Sequence, residues 1–162
     1  FGGITNAVGY KSFTLSVFAD FATGHSILNV QRQFSESGNY VLWQTRAMLD
    51  RWRVDAPSNT YPRMSVSTNS WNSQVSSAFI ERGDFIRLSN VTLAYQLPEG
   101  LVKTLRLQSV MLSLSGNNLY TRTRYTGWNP ETNTRADVLS QGLDLGSYPL
   151  SRSYVGRVAI TF

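Results

Sequence analysis

Four stretches of the chain alternate between apolar and polar residues, the period-2 pattern of a β-strand with two different faces. In YKSFTLSVFADFATG, every second residue from Phe13 to Phe21 is apolar, and Phe18 alone interrupts the polar set between them. The same alternation recurs in RLSNVTLAYQLP, QSVMLSLSGNNLY and SRSYVGRVAITF, and the short stretch GGITNAVGY supplies a fifth strand. The predicted strands lie near residues 2–9, 10–23, 84–97, 107–121 and 151–162.

One of these strands changes phase along its length. Ile86 and Leu88 occupy one set of alternate positions, whereas Val91 and Leu93 occupy the other. A single extra residue in a strand shifts its alternation in this way. The sequence therefore predicts a β-bulge, or the start of the strand, near Ser89.

The two faces of these strands differ in an unusual way. The apolar faces end in aromatic residues, and the opposite faces carry Ser, Thr, Asn and Gln where a soluble sandwich would carry Lys, Glu and Arg. Transmembrane barrels turn apolar residues to lipid and polar residues to a wet lumen, with aromatic girdles at both interfaces. We therefore expect these residues to face lipid: Phe13, Leu15, Val17, Val91, Leu93, Tyr95, Leu112 and Leu114.

Short and long connectors alternate between the strands. VGYK and PEGLVKTLRL are short, whereas residues 24–83 and 122–150 form long loops. Transmembrane barrels alternate short periplasmic turns with longer extracellular loops. Within the first long loop, Val41, Met48, Leu49 and Trp52 lie at helical spacings after SESGN, which predicts a short helix near residues 39–53.

Composition narrows the class of protein. The 162 residues carry a net charge of +5, but Lys and Arg are scattered singly, which does not favour nucleic-acid binding. The chain has no Cys, so it forms no disulfide and no thiolate metal site. No apolar run approaches the roughly 18 residues that a membrane helix needs. Any crossing of a membrane by this chain must use strands.

Motifs for chemistry are weak. His25 is the single histidine and no G-x-S-x-G is present, so neither a His-based metal cluster nor a serine triad is indicated. Asp50 and Asp55 fall at a predicted helix end and in an extended stretch, which is a poor acid–base pair. The integrin-type tripeptide Arg-Gly-Asp at 82–84 leads into a predicted strand, so we do not expect it to act in adhesion. The N-glycosylation pattern Asn-Val-Thr at 90–92 lies within a predicted strand, so we do not expect it to carry a sugar. We expect no enzymatic activity and no cofactor.

Five strands cannot close a membrane barrel, since the smallest have about eight. An open edge in lipid would leave backbone groups unpaired at several kcal/mol each. The chain is therefore expected to be a segment of a larger barrel, or to pair with another chain that completes one. An autonomous small barrel, made when copies of this chain oligomerise, is a further alternative.

Four motifs occur together in the order found in one family. The stretches RWRVDAPSNTYPRM, FIRLSNVTLAYQLP, LSLSGNNLYTRTRYTGWNPE and GLDLGSYPLSRSYVGRVAITF resemble the C-terminal part of the SusC/RagA family of TonB-dependent outer-membrane transporters. The chain departs from the family pattern at Asn129, where Asp is commoner, and at 55–59. The matching residues are Arg87, Leu88, Asn90, Leu93, Tyr95, Leu97, Pro98, Gly116, Asn118, Leu119, Tyr120, Tyr125, Gly127, Asn129, Pro130, Glu131, Gly142, Asp144, Gly146, Tyr148 and Pro149.

The resemblance implies an all-β fold, an antiparallel transmembrane barrel of roughly 22 strands closed by a plug. This chain would supply about five strands and two extracellular loops, and the remainder of the barrel and the plug would lie in the same or a separate chain. The family also implies the outer membrane of Bacteroidota, TonB as the source of energy, and a SusD-like lipoprotein lid. The whole would import oligosaccharides or oligopeptides.

The final strand ends on a bulky aromatic residue, whereas most domains end in a polar tail. In the family, such a strand resembles the signal that the barrel-assembly machinery reads. We expect this strand to pair with the first strand of the barrel. The residues of the proposed signal are Tyr154, Val158, Ile160 and Phe162.

Aromatic residues of the long connectors are candidates for contact with substrate or lid: Trp43, Trp52, Trp71, Tyr125 and Trp128. Aromatic rings offer large contact area at low entropic cost. The alternative is that these rings pack the loops internally. A soluble all-β carbohydrate-binding module would also use such rings, but it would enclose its apolar faces between two sheets.

Overall fold

The computed structural model describes residues 1–38, 43–66, 71–104, 106–132 and 140–162. These residues form two compact units. The sheet unit consists of Phe1–Thr23, Asp84–Arg124 and Leu150–Phe162, and the loop unit consists of Gly24–Gly83 and Tyr125–Pro149.

The described residues contain eight strands and two short α-helices. The strands are β1 (Gly2–Tyr10), β2 (Phe13–Ala22), β3 (Ser26–Asn29), β4 (Ile80–Arg82), β5 (Phe85–Gln96), β6 (Ser109–Thr123), β7 (Leu143–Asp144) and β8 (Ser153–Thr161). The helices are α1 (Val30–Glu36) and α2 (Glu99–Thr104). Among the described residues, no helix is both long and apolar enough to cross a membrane.

The sheet unit is one antiparallel sheet in the order β1-β2-β5-β6-β8. This confirms the predicted all-β, antiparallel architecture with five strands. The sheet is open, with β1 and β8 at its edges. Both long connectors leave from the same end of it, because Ala22 pairs with Phe85, and Phe85 pairs with Thr123.

The register of the sheet brings its apolar residues onto one face. Residues directly opposite each other on neighbouring strands share a face. Leu93 pairs with Leu15 on one side and with Leu114 on the other, and Tyr95 pairs with Phe13 and Leu112 in the same way. The eight residues predicted to face lipid therefore share one face. That face is solvent-exposed in this chain, where Leu114 retains 58% of its accessible surface.

The predicted bulge at Ser89 is confirmed. Phe18 pairs with Asn90 and the next residue, Ala19, pairs with Leu88, so Ser89 is the extra residue of β5. The bulge returns Leu88, together with Ile86, to the face that carries Val91 and Leu93. One extra residue thus keeps the apolar face continuous over the whole length of β5.

The opposite face is tied across the strands by uncharged polar side chains. The Asn90 amide donates to Asn117 Oδ1 at 2.8 Å, and the Asn117 amide donates to Ser153 Oγ at 3.1 Å. The hydroxyls of Thr92 and Ser115 lie 2.8 Å apart. Because these side chains satisfy one another, the polar face is ordered without charged residues at these positions.

Arg87 is the buried charge of this face. Its side chain is 5% exposed and stacks over the Phe85 ring at 4.8 Å from the centroid. The guanidinium lies 3.9 Å from Asp20 Oδ2 and donates to Thr121 Oγ1 at 3.3 Å. Ser89, the bulge residue, donates to the other oxygen of Asp20. The bulge therefore also positions the partner of Arg87.

The first long connector contains an α-helix that the sequence did not predict, and the range predicted to be helical contains a 3₁₀ helix. The α-helix is α1, and the described part of the range 39–53 instead contains a 3₁₀ helix at Arg46–Asp50. Residues 39–42, which include Val41, lie outside the described residues. The cause is local capping: the Asn29 side chain accepts from Arg32 N at 2.9 Å, and Gly38 follows the helix at φ 71°.

The loop unit contains a small sheet in the order β4-β3-β7. β3 pairs with β4 in antiparallel and with β7 in parallel orientation, so this sheet joins the two long connectors. Ile27 on β3 is fully buried at its centre. The two connectors therefore fold together as one unit.

We expect replacement of Arg87 by Met to destabilise the sheet by about 1–3 kcal/mol, because Asp20 then loses its buried partner. Urea unfolding of the full-length protein in vesicles measures this. Arg157→Met is the matched control, since Arg157 is exposed and lies opposite Ser113 on the same face. Equal losses in the two variants would contradict the proposed role of Arg87.

Candidate functional site

The described residues contain no group of three or more His, Cys, Asp or Glu side chains arranged to hold a metal ion. His25 Nε2 lies 3.2 Å from the carbonyl oxygen of Pro130, a contact within the loop unit. Two surfaces are the candidate functional features of the described residues: the polar face of the sheet and the loop unit. The geometry of the loop unit determines which of its side chains are available to a partner.

Glu81 is the polar centre of the loop unit. Its carboxylate accepts from Thr126 N at 2.9 Å, from Arg32 Nη1 at 3.1 Å and from Asn29 Nδ2 at 3.2 Å. Thr126 comes from the second connector, and Asn29 and Arg32 come from the first. One carboxylate thus fastens the two connectors together.

The charges around Glu81 stabilise one another. Burial opposes the ionisation of Glu81, but the hydrogen bonds from Thr126 and the nearby Arg32 outweigh it and lower the pKa of the carboxyl. Burial likewise disfavours the charged form of Arg32. Its bonds to Glu36 at 2.6 Å and to Glu81 outweigh that effect and raise the pKa of the guanidinium. Each group is therefore held in its charged form.

Tyr125 and Asp144 form a second polar pair. The Tyr125 hydroxyl donates to Asp144 Oδ2 at 2.5 Å, and the other oxygen accepts from the backbone N–H groups of Gly146 and Ser147 at 2.8 and 2.7 Å. Burial opposes the charge of Asp144, but these donors lower the pKa of its carboxyl. Burial and the neighbouring carboxylate raise the pKa of Tyr125.

This pair explains why particular residues occur in two of the sequence motifs. The ring of Tyr125 leaves no room for a side chain at residue 127, where a Cβ would lie 2.4 Å from the ring, so Gly127 is required. Gly142 has φ 79° and its Cβ position lies 2.7 Å from the carbonyl oxygen of Ser26. The motifs Y-x-G and G-x-D-x-G are thus one structural brace, joined by the bond from Tyr125 to Asp144.

The five aromatic candidates divide into two groups. Trp43, Trp71 and Trp128 are exposed on the loop unit, at 91% for Trp71 and 70% for Trp128. Trp52 is half-buried, and its backbone N–H donates to the carbonyl of Tyr61 at 3.0 Å. Tyr125 is 5% exposed and belongs to the brace, so its expected role in contacting a partner does not agree with its burial.

Tyr148 is an exposed aromatic residue that was not among the five candidates predicted from the sequence. Its ring is 88% exposed on the loop unit. The signal that would have indicated it is its position between Gly146 and Pro149, where the chain turns without a place in a strand. It joins the three exposed tryptophans as a candidate contact.

The residues of the proposed assembly signal lie at an edge of the sheet unit. Val158 and Ile160 pair with Leu112 and Val110, and Tyr154 pairs with Gly116, so all three share the apolar face. Phe162 follows the end of β8 and is exposed. β8 has one paired neighbour, β6, and its other edge is open among the described residues.

We expect the loop unit to lose stability as the pH falls below about 4. Asp144 and Glu81 have lowered pKa values in the folded state, so their contribution is present above the unfolded values of about 3.9 and 4.3 and is lost as pH falls through the folded ones. Tryptophan fluorescence during heating, between pH 7 and 3, measures this. Asp144→Asn should flatten the profile, and the exposed Asp55→Asn should not; identical profiles would contradict the assignment.

The chain is similar to three curated proteins of Formosa agariphila. It is 33% identical to TonB-dependent receptor P3 over 157 residues, which are 94% of this chain and 15% of the relative. It is 29% identical to TonB-dependent receptor P39 and 25% identical to P26, with 91% and 99% of the chain covered. The chain spans about 15% of the length of these relatives. No protein-family model matches it.

The chain is also similar in fold to solved structures of an importer. The RagAB peptide importer in its open-open state matches 99% of this chain with a TM-score of 0.84 and 26% identity. A structure of the RagAB peptide transporter matches the same share with a TM-score of 0.83 and 25% identity. The matched part is 17% of those chains. Relatives and fold together show that the chain belongs to the SusC/RagA family of TonB-dependent receptors and is a segment of their β-barrel.

Proposed function

We propose that the protein to which this chain belongs imports oligosaccharides or oligopeptides across the bacterial outer membrane. In this proposal, the sheet unit forms part of the barrel wall and the loop unit forms part of the extracellular surface. The proteins it resembles are named as receptors and as a peptide importer, which supports transport in place of catalysis.

One observation carries the proposal. The five-stranded sheet has one face of exposed aliphatic and aromatic residues, and its other face is a hydrogen-bonded array of hydroxyls and amides. Large exposed apolar patches mark a surface that another apolar phase covers. Lipid covers such a face in a transmembrane barrel, and water fills the space next to the polar face. The soluble carbohydrate-binding alternative requires the apolar face to be enclosed within the chain.

The polar face also supports the proposed substrate class. Asn90, Asn117, Thr92 and Ser115 present neutral donors and acceptors. Neutral polar groups of this kind match the amides of a peptide or the hydroxyls of a glycan, since both bind by hydrogen bonds.

The proposed partners come from the resemblance of the chain to its family. The remainder of the barrel pairs with β1 and β8, the barrel-assembly machinery engages the edge that carries Tyr154 to Phe162, and a plug fills the lumen. A SusD-like lipoprotein covers the loop unit, and TonB supplies energy through a part of the protein outside this chain. The open edges support the first of these, because an unpaired strand edge in lipid is costly.

We expect nitroxide labels at Leu15, Leu93 and Leu114 in the full-length protein in vesicles to be relaxed more by oxygen than by a water-soluble nickel chelate. Labels at Ser16, Thr92 and Ser115 are the matched controls, because each is adjacent in sequence to one of the labelled leucines and lies on the polar face. These should show the opposite order. The same order at both sets of sites would exclude the barrel wall.

We expect Trp71→Ala combined with Trp128→Ala to weaken uptake of the transported substrate about 5-fold or more, because exposed aromatic residues dominate contact energies. Initial uptake rates in cells measure this. Val54→Ala is the control, since Val54 is an exposed apolar residue of the same unit. If the tryptophan variant and Val54→Ala have equal uptake rates, these rings have no role in contact with substrate or lid.

A further inference from the structure

Two neighbouring strands show the same change along the apolar face as they approach the end from which the long connectors leave. On β6, the face runs through Leu112 and Leu114 to Tyr120 and then to Arg122. Arg122 lies on this face because it pairs with Ile86, as Tyr120 pairs with Leu88. The order on β6 is therefore aliphatic, then tyrosine, then arginine.

The order on β8 is the same. Its apolar face runs through Ile160 and Val158 to Tyr154, and Arg152 precedes Tyr154 by two residues. Arg124 likewise follows Arg122 by two residues. Arg124 lies in a bend directly after β6 and Arg152 directly precedes β8, so both flank the end of the sheet from which the long connectors leave. We call Arg122, Arg124 and Arg152 the arginine cluster.

The arginine cluster is available for a partner. All three residues are exposed, and none of them forms an ion pair with a carboxylate of the described residues. The sheet unit as a whole holds eight of the 15 Lys and Arg residues but three of the 10 Asp and Glu residues. The positive net charge of the chain therefore belongs to the sheet unit, and this cluster is one of its positive regions.

We propose that the arginine cluster binds the phosphate groups of lipid head groups in the outer leaflet. This inference rests on the proposed function, because it places the apolar face in lipid and the long connectors outside. A tyrosine next to an arginine at the margin of an apolar band matches the headgroup layer of a bilayer, where aromatic rings lie at the interface. Arginine binds phosphate through paired N–H donors, so charge and geometry both fit a phosphorylated lipid.

The opposite end of the same sheet provides an internal comparison. Lys11, Lys103 and Arg106 lie in or beside the short connectors. Lys11 is placed over the Tyr10 ring, 5.4 Å from its centroid, and Lys103 pairs with Glu99 at 3.0 Å. Lys11 and Lys103 therefore have partners within the chain, which the residues of the arginine cluster do not have among the described carboxylates.

Native mass spectrometry of the full-length protein tests the proposal with two probes, lipid A that carries two phosphates and lipid A from which both have been removed. We expect the protein to retain the phosphorylated probe preferentially. The variant R122Q/R124Q/R152Q should lower its occupancy at least about tenfold, since each cation near an anionic surface contributes roughly a factor of five. The variant K11Q/K103Q/R106Q, with the same change in charge, should stay within about twofold of wild type.

A second comparison uses two single variants, so it remains informative if the triple variant does not fold. Arg152→Gln should reduce retention of the phosphorylated probe, whereas Arg157→Gln, on the polar face of β8, should not. Heat-modifiable migration of each variant on a gel confirms that it is folded. Equal retention by these two single variants, or equal binding of both probes by wild type, would overturn the proposal.

Other results of these experiments would overturn either this inference or the barrel assignment. If millimolar inorganic phosphate displaces the phosphorylated probe completely, the cluster is a site for free anions and the lipid proposal is wrong. A wild-type protein that passes the nitroxide comparison but does not distinguish the two probes overturns this inference alone. A protein that fails the nitroxide comparison overturns the barrel assignment itself, which separates the two proposals.

Discussion

Register across the five-stranded sheet is the constraint on which the other features depend. Because the side-chain period of a strand is two, a slip of one residue would exchange the apolar and polar faces. Leu93 keeps its place between Leu15 and Leu114, and Thr92 keeps its bond to Ser115, only in the observed register. The bulge at Ser89 preserves that register along β5, and its hydroxyl binds Asp20, the partner of Arg87. The register of β5 and the ion pair between Asp20 and Arg87 thus both depend on the extra residue Ser89.

The loop unit is stabilised by different means. Its described residues bury a small apolar core of Ile27, Val30, Met48 and Phe79, and two carboxylates with several donors tie its segments together. Glu81 joins the two connectors, and Asp144 orders the turn that follows it through Gly146 and Ser147. A buried carboxylate is costly unless it is fully hydrogen-bonded, and these two are. Such an arrangement keeps the backbone ordered while it leaves large aromatic side chains on the surface.

The exposed aromatic rings and the arginine cluster belong to different surfaces with different chemistry. Trp71 and Trp128 lie on the loop unit, where neutral contact area is available to a large partner. Arg122 and Arg152 lie on the sheet unit, at the margin of its apolar face. The first surface suits recognition by stacking, and the second suits attraction of anions. Charge and hydropathy therefore separate the two kinds of surface within one short chain.

The sequence alone determined the strands, their faces and the bulge, because alternation and a change of phase are local properties that a chain displays without its neighbours. Four motifs in order also identified the family. Tertiary structure decided the rest. The position of α1 depends on a cap from Asn29, the burial of Tyr125 depends on Asp144, 19 residues away, and Glu81 meets Thr126 across 45 residues. The pairing of Arg122 with Ile86 likewise follows from register. Pairs formed between distant residues have no local period, so only the folded chain shows which side chains they bury and which they leave exposed.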